Sequence, residues 1–385
     1  MFNSFFSKDK NLQNRENIRQ LESILLKLQN IFKYHITPIA WATENVENLF
    51  PKITKSNENV LRYNLLCSLA YEKRSFANTL QQMQPAADNF ELKLKQLKQE
   101  CNEFLDICYK YLEADTSSIL METGYKCICD FTITIANEIY PKGDMYVNLL
   151  QQKTISEAHK SALLGFLRKF VFSNLVPESR ALKYFSNICK VIMERGLPFS
   201  LLPNILLYYN SQYERYGKIF DQILKDMDKL DTNVIGIVVS STLFLEYLDV
   251  MSKSTNRNFT YLKKIELHFT RILSTQSLVS VLRFAIDAGF TEEMNLPFLH
   301  YLIHLCVNLP ANSKVFLLNY MLDNVNYNKF QGDTYVIELA NFLGNNKRKR
   351  NTTASGRPSK MSSSTRSVTD LASTLESALD LSEDN

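Results

Sequence analysis

The segment that decides the fold is Leu202 to Lys229, LPNILLYYNSQYERYGKIFDQILKDMDK. From Tyr213 onward, apolar side chains recur in it at three- and four-residue spacing, with charged side chains between them. This pattern predicts an amphipathic helix with one face in a core and the other in water. The predicted inner face carries Tyr213, Tyr216, Ile219, Ile223 and Leu224, and the predicted outer face carries Glu214, Arg215, Lys218, Asp221 and Lys225.

The same helical periodicity extends in both directions from this segment. Only 10 Gly and 10 Pro occur in 385 residues, and such glycine-poor sequences favour helices over sheets. Short turns at Pro177, Gly289 and Pro310 separate the helical patterns. The sequence therefore predicts an all-α chain. The predicted helices span 17–34, 58–83, 90–112, 119–139, 155–174, 178–195, 198–209, 211–229, 232–252, 258–273, 275–288, 295–308, 312–327 and 333–343.

Helical pairs recur at a period of roughly 40 residues, which is typical of degenerate HEAT-type repeats. We therefore expect a HEAT-like helical-repeat solenoid with a disordered C-terminal tail, and an all-helical bundle without repeats is the alternative. The predicted sections are an N-terminal helical section, 1–140, a repeat section, 141–344, and a tail, 345–385. The turn Pro141-Lys142-Gly143-Asp144 marks the first boundary.

Composition narrows the class of protein. A formal charge of +4 argues against a surface devoted entirely to nucleic acid, so any basic function must be local. Seven cysteines, an odd number at apolar helical positions, with no secretory signal at the N-terminus, indicate a reducing compartment and buried thiols. No apolar run is expected to reach the ~20 residues that span a bilayer, so we expect a soluble protein that does not bind membranes.

Motifs that carry enzyme chemistry are absent from the sequence. Neither G-x-x-x-x-G-K-[ST] nor G-x-G-x-x-G occurs, and no serine lies in a nucleophile context. His300 and His304 share a helix face at the spacing of a metal pair, but the glutamate of a zincin and a third ligand are missing, which favours a structural role. We therefore expect no enzyme activity, no cofactor, no metal and no small-molecule substrate.

The region after Gly344 is rich in Ser and Thr and loses its large apolar residues, so it is predicted to be disordered. It holds two charge blocks: seven cations and no acid in 347–366, then five acids and no base in 367–385. This asymmetry lets the tail compete with itself for DNA. Leucines at 371, 375, 379 and 381 are expected to form a short helix on a partner.

Two motifs lie in the basic block. Lys347-Arg348-Lys349-Arg350 is predicted to serve nuclear import or to contact phosphate, and a solvated polar tail is the alternative. Gly356-Arg357-Pro358, followed by Lys360, resembles half of a minor-groove hook, although Ser355 stands where a second arginine is expected. Arg357 and Lys360 are therefore candidate DNA contacts.

The pattern Tyr213-x-x-Tyr216-Gly217-x-Ile219, followed by Leu224 and Lys225, resembles a segment of the stromalin family, the SA or Scc-type HEAT-repeat subunit of cohesin. Similar stretches flank it in the same order, over about 155 to 360, with diffuse similarity from 90 to 150. Family members are much longer, so the chain resembles the C-terminal part of a stromalin. The flanking stretches are Phe104, Cys108, Tyr125 and Cys127; Leu163, Leu164, Phe166, Arg168, Lys169, Phe170 and Val171; Lys263, Lys264 and Phe269; Asn295-Leu296-x-Phe298-Leu299-x-x-Leu302; and Gly356-Arg357-Pro358.

The resemblance implies a regulatory subunit of cohesin that acts in sister-chromatid cohesion, in the nucleus and on chromosomes. Its implied partners are the kleisin and SMC subunits, with weak, non-specific contact to chromatin DNA. A helical-repeat transport or trafficking adaptor is the alternative. The expected contact residues are Tyr213, Tyr216 and Lys218 for the protein partner, and Lys263, Lys264 and Arg271 for DNA, beside the tail residues.

Overall fold

The structure is a computed structural model that describes residues 19–20, 22–27, 29, 58–83, 89–113, 116–150, 155–252 and 260–344. Within these ranges every regular element is a helix, which confirms the all-α prediction. The predicted tail, 345–385, and most of the predicted helix 17–34 lie outside the described residues, and the stretch 22–27 is helical. Contacts group the chain into two compact units, Met1–Pro198 and Phe199–Asn385. The predicted section boundary at 140/141 stays a prediction.

Beyond the helical stretch 22–27, the first unit contains six α-helices in its described residues. A 3₁₀ turn, Tyr140–Lys142, stands between the third and the fourth, at the predicted Pro141 to Asp144 turn. The helices are α1, Glu58–Gln82; α2, Phe90–Lys110; α3, Ser118–Ile139; α4, Asp144–Leu150; α5, Glu157–Phe170; and α6, Glu178–Met193.

The second unit contains nine α-helices in its described residues, with 3₁₀ turns at Phe199–Leu201 and Glu293–Asn295. They are α7, Leu202–Leu206; α8, Tyr213–Leu230; α9, Thr232–Ser252; α10, Thr260–Ile272; α11, Thr275–Gly289; α12, Phe298–Cys306; α13, Ala311–Asp323; α14, Tyr327–Phe330; and α15, Thr334–Gly344.

Helix starts follow local capping chemistry. The hydroxyls of Ser117, Ser156 and Ser274 accept hydrogen bonds from the amides that open α3, α5 and α11. Asp231 accepts from the amides of Asn233 and Val234, at 2.6 and 3.3 Å, and so begins α9 at the predicted turn. Because these signals are local, most predicted helix ends agree with the structure to within a few residues.

The predicted helix 198–209 is not continuous in the structure. The stretch 198–209 forms a 3₁₀ turn, then the five-residue α7, then a turn that leads into α8. Pro203 lies in the first turn of α7, where its missing amide hydrogen costs nothing. The short helices α4 and α14 were not predicted, because segments of seven and four residues are too short for a periodic pattern.

Helices of the second unit pack in two alternating sets. In one set α7 contacts α9, α9 contacts α11, and α11 contacts α13. In the other set α8 contacts α10, α10 contacts α12, and α12 contacts α15. Helices that follow each other in the chain also contact, as α8 does with α9 and α11 with α12, so consecutive helices pack as pairs in this part of the unit.

The central helix α9 makes its most extensive contact with α11. Gly236 of α9 lies against Ser280 of α11: a Cβ added at Gly236 would stand 2.3 Å from the Ser280 Oγ and 2.8 Å from its Cβ. These small residues therefore set how closely the two helices approach.

α9 is also the one helix, among the described residues, that is long and apolar enough to cross a membrane by length and composition. The expectation that no apolar run reaches that length is wrong for this helix. Most of its apolar stretch is buried inside the unit, from Val234 to Val250, and it contacts α7, α8, α10 and α11. Core helices of soluble proteins pass the same test, so the length of α9 is weak evidence for a membrane span.

In the first unit, α3 occupies the centre and contacts α1, α2, α5 and α6. Gly124 of α3 faces the Cys108 carbonyl oxygen of α2, which a Cβ at that position would meet at 2.9 Å. The prediction of buried thiols is confirmed, since all seven cysteines are buried and free. Burial raises the pKa of the Cys67 and Cys129 thiols to about 12, so both stay protonated at neutral pH.

Candidate functional site

The tyrosine segment forms a structured element at the start of α8. Gly217 leaves room for the Tyr213 ring, because a Cβ there would lie 3.0 Å from three of the ring atoms. The Tyr216 ring points the other way and is only 1% exposed. Partner contact by Tyr216 therefore does not hold in this structure, since its ring is not available at the surface. Tyr213 is half-buried and Lys218 is exposed.

Asp221 is the polar centre of this element. Its carboxylate accepts hydrogen bonds from the hydroxyls of Tyr209 and Tyr213, at 2.7 and 3.1 Å. Burial, followed by the bond to Asp221, raises the pKa of both tyrosines, so both hydroxyls remain donors. The ring of His268, from α10, lies 4.8 Å from Tyr213 and 5.4 Å from Tyr209. Asp221 therefore ties Tyr209, in the turn before α8, to α8 itself, and the two tyrosine rings contact α10 through His268. The prediction of Asp221 as an outward-facing side chain is wrong, because the side chain is half-buried.

Replacing Asp221 by alanine is expected to lower the free energy of unfolding by about 2 kcal/mol, because two tyrosine hydroxyls lose their acceptor. Urea unfolding followed by circular dichroism measures this change. Asp226→Ala is the matched control on the same helix: Asp226 bonds the exposed Gln222 and pairs with Lys229 at 3.9 Å, so its loss should cost less than about 0.5 kcal/mol. Equal costs for the two variants would contradict the role of Asp221.

The predicted DNA contacts Lys263, Lys264 and Arg271 lie together on α10. All three are exposed, and Leu267, also exposed, lies between them along the helix. At 100° per residue, positions 263, 267, 271 and 264 fall within about 100° of helix surface. Lys263 and Arg271 have no acidic partner among the described side chains. We call these four residues the α10 stripe.

The only acid of α10, Glu266, lies on the opposite, buried face. Its side chain is 1% exposed, and neither carboxylate oxygen has a hydrogen-bond partner. Burial raises the pKa of Glu266 to about 9, although nearby Lys263 lowers it in part. The carboxyl is therefore protonated at neutral pH, and α10 presents only positive charge to solvent.

His300, the first histidine of the pair on α12, contacts a side chain of another helix. His300 Nδ1 lies 2.8 Å from an oxygen of Glu338, on α15. Burial, then the charges of Lys263 and His300, lower the pKa of His304. In the part of the chain that the structure describes, no cluster of three or more His, Cys, Asp or Glu side chains is arranged to hold a metal. His300 instead ties α12 to α15, which agrees with the predicted structural role.

A narrow, solvent-open cleft in the first unit lies between Lys98, Asn102, Thr132 and Arg195. The rest of its lining is apolar, including Cys101, Leu105 and Ile139. Burial raises the pKa of the Cys101 thiol, which is therefore protonated at neutral pH.

The tail residues predicted to act in import and DNA contact, Lys347, Arg348, Lys349, Arg350, Arg357 and Lys360, lie outside the described residues. Sequence reasoning missed Tyr209, His268 and Glu266. Glu266 carried a signal: it falls on the face shared by Leu262, Ile265 and Phe269, so periodicity alone places a carboxyl in the core. Tyr209 and His268 carried none, because their meeting depends on how α10 packs against α8.

No family model matches the sequence, and no curated protein matches it.

Proposed function

We propose that this chain is a non-enzymatic helical-repeat scaffold of the stromalin type, which binds the kleisin of an SMC ring and assists its association with DNA. The finer fold that we propose is a HEAT-like solenoid. The observation that carries this proposal is the alternating packing of the second unit, where α8, α10, α12 and α15 form one set of neighbours and α7, α9, α11 and α13 the other. Repeat scaffolds of this kind present extended surfaces to long partner segments.

The tyrosine segment supports the same proposal. The Tyr-x-x-Tyr-Gly pattern, on which the family resemblance depends, forms one structural element, because Gly217 admits the Tyr213 ring and Asp221 holds its hydroxyl. Within this element Tyr213 and the exposed Lys218 are the residues that we propose for partner contact. Tyr216 would act indirectly, by fixing α8 in the core.

The α10 stripe supports the proposed DNA contact. Exposed cations bind phosphates with little sequence preference and with strong salt dependence. We propose that Lys263, Lys264 and Arg271 act together with Arg357 and Lys360 of the tail. The cluster Lys347 to Arg350 would bring the chain into the nucleus, where it would act on chromosomes.

Affinity purification of the tagged chain from its own cells, followed by mass spectrometry, tests the partner. Recovery of kleisin and SMC subunits is the expected result, and Lys218→Glu should reduce it, because Lys218 is exposed on α8. Lys225→Glu, two turns further along the same helix and also exposed, is the matched control. Recovery of coat proteins or nucleoporins without SMC subunits would overturn the proposal in favour of a transport adaptor.

Charge reversal on the stripe tests the DNA contact. Lys263→Glu with Lys264→Glu is expected to weaken binding to a random duplex about tenfold from a dissociation constant of roughly 10⁻⁴ to 10⁻⁶ M, and to reduce the salt slope by about 2. Fluorescence anisotropy at several salt concentrations measures both quantities.

The matched control is Lys93→Glu with Lys95→Glu, which reverses two exposed lysines on α2 and changes the net charge equally. If both double variants weaken duplex binding to the same extent, the affinity reports net charge alone and the stripe is not a DNA surface.

A further inference from the structure

The α10 stripe is a surface of one charge with an apolar centre. Leu267 is 52% exposed, and Lys263, Lys264 and Arg271 surround it on the same helix face. Glu266, the only acid of α10, is buried and points away from this face. On the neighbouring α12, His304 lies close enough to Lys263 for the lysine charge to lower its pKa. An acidic segment with a few apolar side chains complements such a surface.

The chain itself contains a segment of that chemistry. Residues 367–385 hold five acids and no base, and residues Leu371, Leu375 and Leu379 recur at four-residue spacing. Each of these leucines stands next to an acid in sequence: Leu371 follows Asp370, Leu375 precedes Glu376 and Leu379 precedes Asp380. In a regular helix the acids would face away from the leucines, so we expect the segment to dock without a regular helix, with its acids on the lysines and arginine of the stripe and its leucines on Leu267.

The tail can reach the stripe. It begins after Gly344, at the end of α15, and α15 contacts α12, which contacts α10. Neighbouring helix axes lie about 8–10 Å apart, so the stripe is roughly 20 Å from α15 across the helices. The linker of about 25 residues, 345–369, has a root-mean-square span of roughly 28 Å if flexible. This match gives a tethered segment an effective concentration on the order of millimolar.

We propose that the acidic segment 367–385 docks on the α10 stripe in cis and covers the residues that would contact DNA. The docked segment is an autoinhibitory element, displaced when phosphates compete for the same cations. The regulatory part of this inference rests on the proposed DNA contact, whereas the docking itself does not. Because the contact is mainly electrostatic, raised salt weakens it.

Cysteine cross-linking in the full chain tests the docking. Since all seven native thiols are buried, introduced cysteines are the only exposed ones among the residues that the structure describes and in the cysteine-free tail. We expect Ala378→Cys to form a disulfide with Leu267→Cys. The matched control pairs Ala378→Cys with Ile337→Cys, because Ile337 is 44% exposed on α15, the helix from which the tail leaves. Gel mobility follows both reactions over time.

The 267 pair should cross-link about five- to tenfold faster than the 337 pair, and neutralising the acids by Asp370→Asn, Glu376→Gln and Asp380→Asn should remove that advantage. Equal rates for the two pairs, or a fast 267 pair that the neutralised acids leave unchanged, would overturn the docking. If the tail only diffuses near α15, the 337 pair should cross-link faster than the 267 pair.

Duplex binding separates this inference from the proposed function. In the full chain without added cysteines, neutralising the three acids should raise affinity several-fold, and Lys263→Glu with Lys264→Glu should abolish the rise. If cross-linking depends on the acids but duplex affinity responds to neither change, the docking stands and the proposed DNA contact fails. If the lysines control duplex affinity but cross-linking shows no preference for 267, the DNA contact stands and the docking fails.

Discussion

Gly236→Ala is expected to lower the free energy of unfolding of the second unit by about 3 kcal/mol. The added Cβ would lie 2.3 Å from the Ser280 Oγ, 2.8 Å from the Ser280 Cβ and 3.0 Å from its carbonyl carbon. Rotation of the serine hydroxyl removes only the first of these clashes, so the α9 and α11 backbones must move apart. That movement disturbs the most extensive helix contact in the unit.

Thermal and urea unfolding, followed by circular dichroism, measure the effect. Adding Ser280→Gly to Gly236→Ala should recover part of the loss, because it removes the two side-chain clashes. Gly165→Ala on α5 is the control, since a Cβ there meets nothing within 4 Å and alanine is the better helix former. It should stabilise by about 0.5–1 kcal/mol. A Gly236→Ala variant as stable as Gly165→Ala would contradict the observed closeness of α9 and α11.

Glu266→Gln is expected to remove most of the loss of stability that the chain suffers as pH rises. The carboxyl of Glu266 has a pKa of about 9 when folded, against an ordinary value of 4.5. Below pH 4.5 both states are protonated and the contribution is fully present. Above pH 4.5 the unfolded state loses its proton while the folded state keeps it, so stability falls as pH rises toward 9.

Between pH 5 and 8 this difference amounts to as much as about 4 kcal/mol, at 1.36 kcal/mol per pH unit. Three titratable side chains interact electrostatically with the Glu266 carboxyl: Lys263, Tyr301 and Cys306. Glutamine has nearly the same shape and cannot ionise, so Glu266→Gln should be the more stable protein at pH 8 and nearly equal at pH 5. Urea unfolding at half-unit pH steps measures the difference.

Glu214→Gln, which changes an exposed carboxyl on α8, is the matched control and should leave the pH dependence unchanged. If Glu266→Gln and the unmodified chain lose stability in parallel from pH 5 to 8, then the Glu266 carboxyl is ionised in the folded protein. That result would also place a negative charge on α10 and weaken the argument for a purely positive stripe.

Most of the helical content was predictable from sequence because its signals are local. The spacing of Tyr216, Ile223 and Leu224 placed α8, and Pro177, Asp231 and Gly289 marked real helix ends or starts. The helix predictions failed where local signals conflict and where a helix is too short to show a periodic pattern. Pro203 and the aromatic turn after α7 broke a predicted continuous helix, and α4 and α14 are shorter than two or three turns of pattern.

In the candidate site, too, some features follow from the sequence and others depend on how the helices pack. The cations Lys263, Lys264 and Arg271 share one face of α10 by spacing alone, so the sequence determined the stripe. It also determined that Glu266 falls on the apolar face, although only the packing of α10 shows that both of its oxygens lack a hydrogen-bond partner.

The sequence by itself thus determined an all-helical chain, the ends of most helices and the positive face of α10, because capping, turns and periodicity act over a few residues. Tertiary structure alone decided that Asp221 gathers Tyr209 and Tyr213 beside His268, and that Gly236 and Ser280 bring α9 against α11. Contacts of this kind join residues on different helices, and their distances depend on how the whole unit packs.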